Sequence, residues 1–287
     1  MRFTKMQGAG NDFVLVETSD DARDWPELAV AICDRHFGVG ADGLLLLLPS
    51  DKADFRMRIF NADGSEAIAC GNGLRCMVKY FMDGRAVDGR PAEISVETLG
   101  GTRRARIRRT DGRVAEIQVG MGRPGIGKKN ASVQLDRKGR AGSDIASLMD
   151  ESITVAGRAL SLHLVSMGNP HAVHFLQEEV SMFPLSELGP LVERHSVFPK
   201  RTNFEIARIH SRQLVEARVW EQGVGETLAC GSGACAIGVA GRLFGHVDQR
   251  VDVKLPGGVL SVEWDGAGEV FLSGPAETVF TGEWVWP

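Results

Sequence analysis

The chain has 287 residues, 43% hydrophobic and 24% charged, with a formal net charge of −4. That composition excludes an intrinsically disordered chain and a generic polyanion binder, and the length suits two domains. Five cysteines, at 33, 70, 76, 230 and 235, are too few and too odd in number for a secreted disulfide framework, so a reduced, cytoplasmic protein is expected.

In chain order, the opening stretch MRFTKMQGAGNDFVLV is broken by Lys5, Gln7, Asn11 and Asp12, which denies it the apolar core of a signal peptide. Strands are predicted at 14–17, 44–48, 55–60, 93–97, 102–108 and 114–119, and helices over 25–36 and after Cys70. The leucine run 44–48 stops at Pro49, far short of the roughly 20 residues of a membrane helix, so no membrane association is expected. Arg103, Arg104, Arg106, Arg108 and Arg109 nearly alternate with Ala105 and Ile107. That is the pattern of a solvated strand face, and no nucleic-acid partner is expected. Segment 123–151 is polar, glycine-rich and aperiodic, and reads as a connection between two halves. Its sequon at Asn130 is expected to be idle.

The second half offers strands at 153–155, 160–167, 172–176, 203–210, 214–221, 251–255, 260–264 and 270–272, with its main helix after Cys230. The alternation of Val251, Val253 and Leu255 points to sheets with one dry face, as antiparallel sheets have.

Three glycine motifs are decoys. The GxGxxG at 38–43 follows a helix and precedes a strand, the reverse of a dinucleotide site. The one at 120–125 is broken by Pro124. The GxxxxGK at 122–128 ends before Lys129, where a magnesium-binding hydroxyl should stand. Cys70-x5-Cys76 and Cys230-x4-Cys235 lack zinc-ligand spacing. Neither a cofactor nor a metal is therefore expected.

One pattern survives. Ala69-Cys70-Gly71-Asn72-Gly73 recurs 160 positions later as Ala229-Cys230-Gly231-Ser232-Gly233, each copy followed by an apolar, helix-compatible stretch. A thiol where the chain enters a helix gains thiolate stability from the helix N-terminus. Glycines there let backbone N–H groups close on a small anion. Two such turns suggest a pair of thiols serving one substrate carboxylate across an interdomain cleft, one removing a proton and the other donating one. The bland alternative is core packing, and it is the expectation for Cys33, Cys76 and Cys235.

Motifs spread over nearly the whole chain carry a resemblance. They are KMQGAGNDFV (5–14), RHFGVGADG (35–43), FNADGSEAIACGNGLRC (60–76), MGNPHAV (167–173), RTNFE (201–205), VWEQGVGETLACGSGACA (219–236), LPGG (255–258) and SGPAETVFTG (273–282). Together they resemble the diaminopimelate epimerase family. The resemblance implies an α/β (α+β) fold of two pseudo-symmetric domains, each a mostly antiparallel, barrel-like sheet around a central helix. The expected boundaries are 1–121 plus 275–287 for the domain carrying Cys70, and 122–274 for the domain carrying Cys230.

The implied activity is interconversion of LL- and meso-diaminopimelate without pyridoxal phosphate, in lysine and cell-wall precursor biosynthesis. Cys70 and Cys230 are the implied acid–base pair. Backbone N–H groups of Gly71, Asn72, Gly231 and Ser232 would hold the reacting carboxylate. His171 and Glu221 would orient the reacting ammonium, and Asn11, Asn61, Asn169 and Asn203 the polar ends of the substrate. The family's usual arginine for the distal carboxylate is replaced by Gln222, with Arg201 a candidate substitute. Gly43 stands where some members have glutamine, and Ser232 replaces the usual threonine. The alternatives are a racemase of another amino acid, such as histidine, and a non-enzymatic binding protein. A homodimer is implied by the resemblance alone.

Overall fold

The computed structural model describes residues 1–68, 70–83, 93–110, 113–127 and 150–285, apart from the side chains of 109, 110 and 113–115. The chain divides into two units, Met1–Gly120 with Ser273–Pro287, and Met121–Leu272.

In the first unit the order is β1 (Arg2–Gly8), β2 (Asn11–Glu17), α1 (Trp25–Cys33), β3 (Gly43–Leu48), β4 (Phe55–Asn61), α2 (Gly71–Asp83), β5 (Glu93–Thr98), β6 (Gly101–Thr110) and β7 (Arg113–Gly122). Neighbours pair antiparallel except β2 with β3 and β4 with β5, the two pairs joined through a helix. Such a crossover is what a parallel pair requires.

Helix α1 starts where Asp24 accepts the Glu27 N–H at 3.2 Å. It stops at Cys33 instead of His36, because Asp34 Oδ1 accepts the N–H groups of His36 and Phe37, both at 2.7 Å, and turns the chain. Gly38 then lies against the helix end, where a Cβ would sit 2.3 Å from the Ala31 carbonyl oxygen. The first GxGxxG is thus a helix-to-strand turn.

Strand β3 is buried on both faces. Leu44, Leu46 and Leu48 join Trp25, Leu28 and Ile32 of α1 in one core, while Leu45 faces α2 at Gly73, together with Met57 and Ile59 of β4. Its unbroken leucine run is the signature of a strand with two dry sides. In β6, by contrast, Ala105 and Ile107 are buried while Arg104, Arg106 and Arg108 are exposed. Arg108 pairs with Glu116 at 2.9 Å.

The second unit runs β8 (Gly125–Ile126), β9 (Asp150–Val155), β10 (Arg158–Ser166), β11 (Pro170–Leu176), α3 (Leu185–Glu193), β12 (Asn203–Ser211), β13 (Leu214–Glu221), β14 (Gly225–Thr227), α4 (Gly231–Leu243), β15 (Arg250–Leu255), β16 (Gly258–Glu263) and β17 (Val270–Gly274). The last strand, β18 (Glu277–Glu283), belongs to the first unit and pairs antiparallel with β1. Here β11 with β12 and β13 with β15 are the parallel pairs, again joined through helices. Val251, Val253 and Leu255 are all buried on β15. Of the expected connection 123–151, residues 128–149, Asn130 among them, lie outside the described residues.

The echo around the cysteines extends through both units. β3 and β12 begin at Gly43 and Asn203, β4 and β13 end at Asn61 and Glu221, and α2 and α4 start at Gly71 and Gly231, each pair 160 positions apart. Each of these helices is the central one of its unit, with α2 against β1–β4 and β18, and α4 against β10–β12, β15 and β16. Among the described residues no helix is long and apolar enough to cross a membrane, and no cluster of three or more His, Cys, Asp or Glu could hold a metal ion.

Candidate active site

Each central helix begins on a cysteine. In the first unit the Gly73 N–H donates to Cys70 Sγ at 3.5 Å and the Leu74 N–H to the Cys70 carbonyl at 2.8 Å. In the second, Cys230 caps α4 with extended backbone, and its Sγ accepts the Gly233 N–H at 3.4 Å. A helix has no internal acceptors for its first amides, so both sulfurs do the work usually given to a serine or aspartate cap. Gly71 and Asn72, and Gly231 and Ser232, supply the amides of the same first turns. All five cysteines are free thiols.

The first-unit turn is held by a polar chain. Asn11 Oδ1 accepts from the Cys70 thiol at 3.8 Å and from Asn72 Nδ2 at 3.2 Å, while Asn11 Nδ2 donates to Asp42 at 2.8 Å. Asn72 Oδ1 accepts from Arg75 at 2.8 Å, and Arg75, fully buried, also donates to the carbonyls of Gly71 at 3.3 Å and Pro275 at 3.4 Å. Behind Asn11, Arg35 joins Asp42 and Asp12, both at 2.8 Å, and Lys5 reaches Asp12 at 2.5 Å. Burial raises the Asp12 carboxyl, but Arg35 and Lys5 outweigh it and hold it down at about 2. Asn61 stands apart from this chain, since its amide donates to Ser65 Oγ at 2.9 Å across the turn after β4. A Cβ at Gly43 would lie 2.7 Å from the Phe60 carbonyl oxygen, so this backbone leaves no room for a side chain there.

In the second unit His171 is fully buried on β11. Its Nδ1 lies 2.6 Å from Glu205 Oε1 and its Nε2 3.0 Å from Asn169 Oδ1. Glu221 accepts from the Thr227 hydroxyl at 2.6 Å, and Ser232 Oγ lies 3.5 Å from Cys230 Sγ. Asn203 is spent locally, with Nδ2 donating to the Pro170 carbonyl at 2.8 Å and Oδ1 accepting the Gln222 N–H at 2.9 Å. The Gln222 side chain is exposed.

Arg201, with φ +62°, donates to Glu193 Oε1 at 3.4 Å, and the same oxygen accepts the Gly223 N–H at 3.1 Å. Its guanidinium is therefore one carboxylate away from the turn that carries Gln222. Glu193 is itself buried and takes the Trp220 indole N–H at 2.9 Å. Sequence reasoning missed Asp42, Arg75, Glu193 and Glu205. Asp42, Arg75 and Glu205 lie inside the quoted motifs, but no spacing rule singles them out.

The thiols differ in surroundings. Cys230 is 4% exposed, whereas Cys70 is half-buried. Burial pushes the Cys230 thiol well above its usual range, with the Glu221 and Glu205 charges adding to it and the Ser232 and Gly233 hydrogen bonds opposing it. Burial also pushes Cys33 and Cys76 up to about 12, which makes them inert fillers. Iodoacetamide at pH 8 is therefore expected to alkylate Cys70 first and Cys230 at least about tenfold more slowly. Peptide mapping by mass spectrometry checks the order, and preferential loss of Cys230 would contradict it.

The doubled fold, with a central helix in each half, is shared with solved structures. A Bacillus anthracis phenazine biosynthesis protein of the PhzF family superposes with a TM-score of 0.70 at 16% identity, over 100% of this chain and 99% of its own. A hydroxyproline epimerase from Agrobacterium vitis does so with a TM-score of 0.68 at 16% identity, over 98% and 91%. The fold class is thus that of the PhzF and proline racemase-like epimerases.

Closer kinship comes from sequence. The family profile described as diaminopimelate epimerase matches residues 3–126 and 163–279. The diaminopimelate epimerases of Pelotomaculum thermopropionicum and Moorella thermoacetica are 45% and 46% identical to this chain, each aligned over 99% of both partners. That of Methanococcus maripaludis is 44% identical over the same shares. The chain belongs to the diaminopimelate epimerase family.

Proposed function

We propose that Cys70 and Cys230 are the acid–base pair with which this epimerase interconverts LL- and meso-diaminopimelate. The observation that carries the reading is the repeated cap, a cysteine sulfur at the first turn of the central helix in each of two matched units. Inversion at a carbon needs a base on one face and an acid on the other, and each unit supplies one thiol. Removing the α-proton drives negative charge onto the adjacent carboxylate. First-turn amides of Gly71, Asn72, Gly231 and Ser232 offer donors fixed in advance for that charge, and two helix N-termini add their dipoles. An unassisted thiol is a weak base for an amino-acid α-proton, so this electrostatic contribution has to be large.

His171, Glu221, Asn169, Asn11, Asn61 and Asn203 serve to orient substrate and the turns around it. In the structure His171, Asn203 and Asn11 bond to neighbouring side chains and backbone. Gln222 brings no charge, and Arg201 supplies the cation for the distal carboxylate from across Glu193. A second reading, racemisation of an amino acid without a second carboxylate, draws on the same uncharged Gln222. The protein acts in the cytoplasm on a free small molecule, and as a homodimer.

One experiment separates these readings. The protein is incubated in deuterated water with LL-diaminopimelate and, separately, with histidine, proline and other single-carboxylate amino acids. Deuterium at the α-carbon and a shift toward the meso isomer are expected only with diaminopimelate. Arg201→Ala is expected to raise KM for diaminopimelate about tenfold or more with a smaller change in kcat, as loss of a charge-assisted contact to bound substrate does. Exchange confined to another amino acid would overturn the substrate assignment, and an unchanged KM would remove Arg201 from it.

A further inference from the structure

A carboxyl group with one hydrogen-bonded oxygen and one bare oxygen is an unstable thing to bury. Glu205, on β12, is such a group. It has no exposed surface, its Oε1 meets His171 Nδ1 at 2.6 Å, and its Oε2 is buried without a hydrogen-bond partner among the described residues. Burial raises its pKa, opposed by His171 and the Ala172 N–H, and the charge on Glu221 raises it further. With Nε2 of the ring directed at Asn169 Oδ1, 3.0 Å away, both imidazole nitrogens face acceptors. The ring is satisfied on both sides only when a proton lies between it and Glu205.

The same carboxyl group borders the thiol. A Cβ on Gly233 would lie 3.0 Å from Glu205 Oε1 and 3.3 Å from Cys230 Sγ. Those two distances, 3.0 and 3.3, cap the separation of carboxyl oxygen and sulfur at about 6.3 Å. At that range, inside a dry site, a carboxyl group influences whether a thiol keeps its proton. Among the described residues, four groups bear most on Cys230. Glu221 lies on β13, Glu205 on β12 and the Ser232 hydroxyl on α4, with the Gly233 N–H beneath the sulfur. A side chain at 233 would press on both the carboxyl group and the thiol, so glycine there leaves room for the two to lie this near.

We propose that Glu205 is a positioning residue for proton transfer at Cys230, joining His171 in a buried acid pair that holds the neighbouring thiol in its protonated, donating form. It rests on the reading of Cys230 as one of the two acid–base groups and assigns that group its resting role. Cys230 waits as the acid, so the proton-abstracting role in the first half of the cycle falls to Cys70. When Cys230 must act as the base in the reverse direction, its thiolate forms beside the carboxyl side of that pair, which is the pair's negative end.

The test reads the thiol itself, independently of turnover. Alkylation of Cys230 by iodoacetamide is followed against pH by peptide-resolved mass spectrometry in wild type, Glu205→Gln and Glu205→Asp, each checked for folding by circular dichroism. In wild type the Cys230 rate is expected to rise only at pH above the ordinary thiol range. In Glu205→Gln the midpoint is expected to fall by about one pH unit, a tenfold gain in thiolate at fixed pH, and Glu205→Asp keeps the wild-type midpoint. The alkaline limb of kcat/KM moves to lower pH in step with it.

A uniform rise in alkylation at every pH with no shift in midpoint, or equal behaviour of the two variants, would show that Glu205 only fills space. Should the glutamine variant fail to fold, the wild-type profile still tests the proposal, because a Cys230 thiol that titrates in the ordinary thiol range overturns it. A midpoint that shifts in a protein inactive on diaminopimelate would sink the proposed function and leave this inference standing.

Discussion

Replacing either capping cysteine by serine is expected to lower the rate of diaminopimelate epimerisation by about 10²–10⁴-fold, the usual contribution of a positioned general acid or base. Serine is a preferred helix cap, so Cys230→Ser keeps an acceptor for the Gly233 N–H that the sulfur holds at 3.4 Å. At Cys70 the Gly73 N–H and Asn11 likewise retain a partner. Stability is therefore expected to change by no more than about 1 kcal/mol, the net worth of an ordinary hydrogen bond. The loss belongs to chemistry, because a hydroxyl holds its proton far more tightly than a thiol.

The two variants should also differ in a diagnostic way. Each retains one thiol, and a surviving base can still exchange the α-proton of the stereoisomer it faces without delivering a proton to the opposite side. Deuterium incorporation without inversion, from opposite isomers in the two variants, is the expected signature. Urea titration alongside the exchange assay separates a folding defect from a chemical one. Serine variants that epimerise at rates near wild type would end the two-thiol mechanism.

The two capped turns were legible because they are built from local sequence. A cysteine followed by glycines at the mouth of a helix makes its cap from its own next residues, so two copies of ACGxG foretell two capped helices. Strands with one dry face, such as β15 with Val251, Val253 and Leu255 inward, announce themselves by alternation. Helix α3 did not. It is absent from the expected elements, and its Gly189 lets the helix lie on the Trp220 ring, where a Cβ would be 2.5 Å from Cδ2. Only the tertiary contact explains the residue.

The end of α1 was misplaced for a related reason. An aspartate at 34 is unremarkable in a helix until its carboxylate captures the next two N–H groups and turns the chain. Glu205, Glu193 and Arg75 show the limit most clearly. Charged residues are expected outside, and what buries each of these is a partner group distant in the chain. Glu205 meets His171 from a neighbouring parallel strand, Glu193 meets Trp220 and Gly223, and Arg75 meets Pro275. No periodicity encodes such pairs.

Arg75→Met is expected to cost about 2–4 kcal/mol of stability and to slow epimerisation at least about tenfold. The guanidinium is fully buried and fans out to three oxygens, those of Gly71, Asn72 and Pro275. Methionine fills much of the volume but donates nothing, so three acceptors, those of Gly71 and Asn72 buried, lose their charged partner. The Pro275 bond also ties the first turn of α2 to the chain leading into β18, which pairs with β1. Its loss should therefore show as a lower, still cooperative melting transition.

The effect on rate follows from the chain of contacts. Arg75 fixes the Asn72 amide, Asn72 donates to Asn11, and Asn11 accepts from the Cys70 thiol. Freed of Arg75, Asn72 can turn its carbonyl toward other donors, and the thiol loses a defined direction. The defect should appear in kcat more than in KM, since binding of the distal carboxylate is untouched. Arg75→Lys is the discriminating control, because it keeps the charge but can satisfy fewer of the three oxygens. It should fall between wild type and Arg75→Met in both melting temperature and kcat. A lysine variant as impaired as methionine would assign the role to the planar fork alone, and a methionine variant with wild-type stability and kcat would show that this network does not support Cys70.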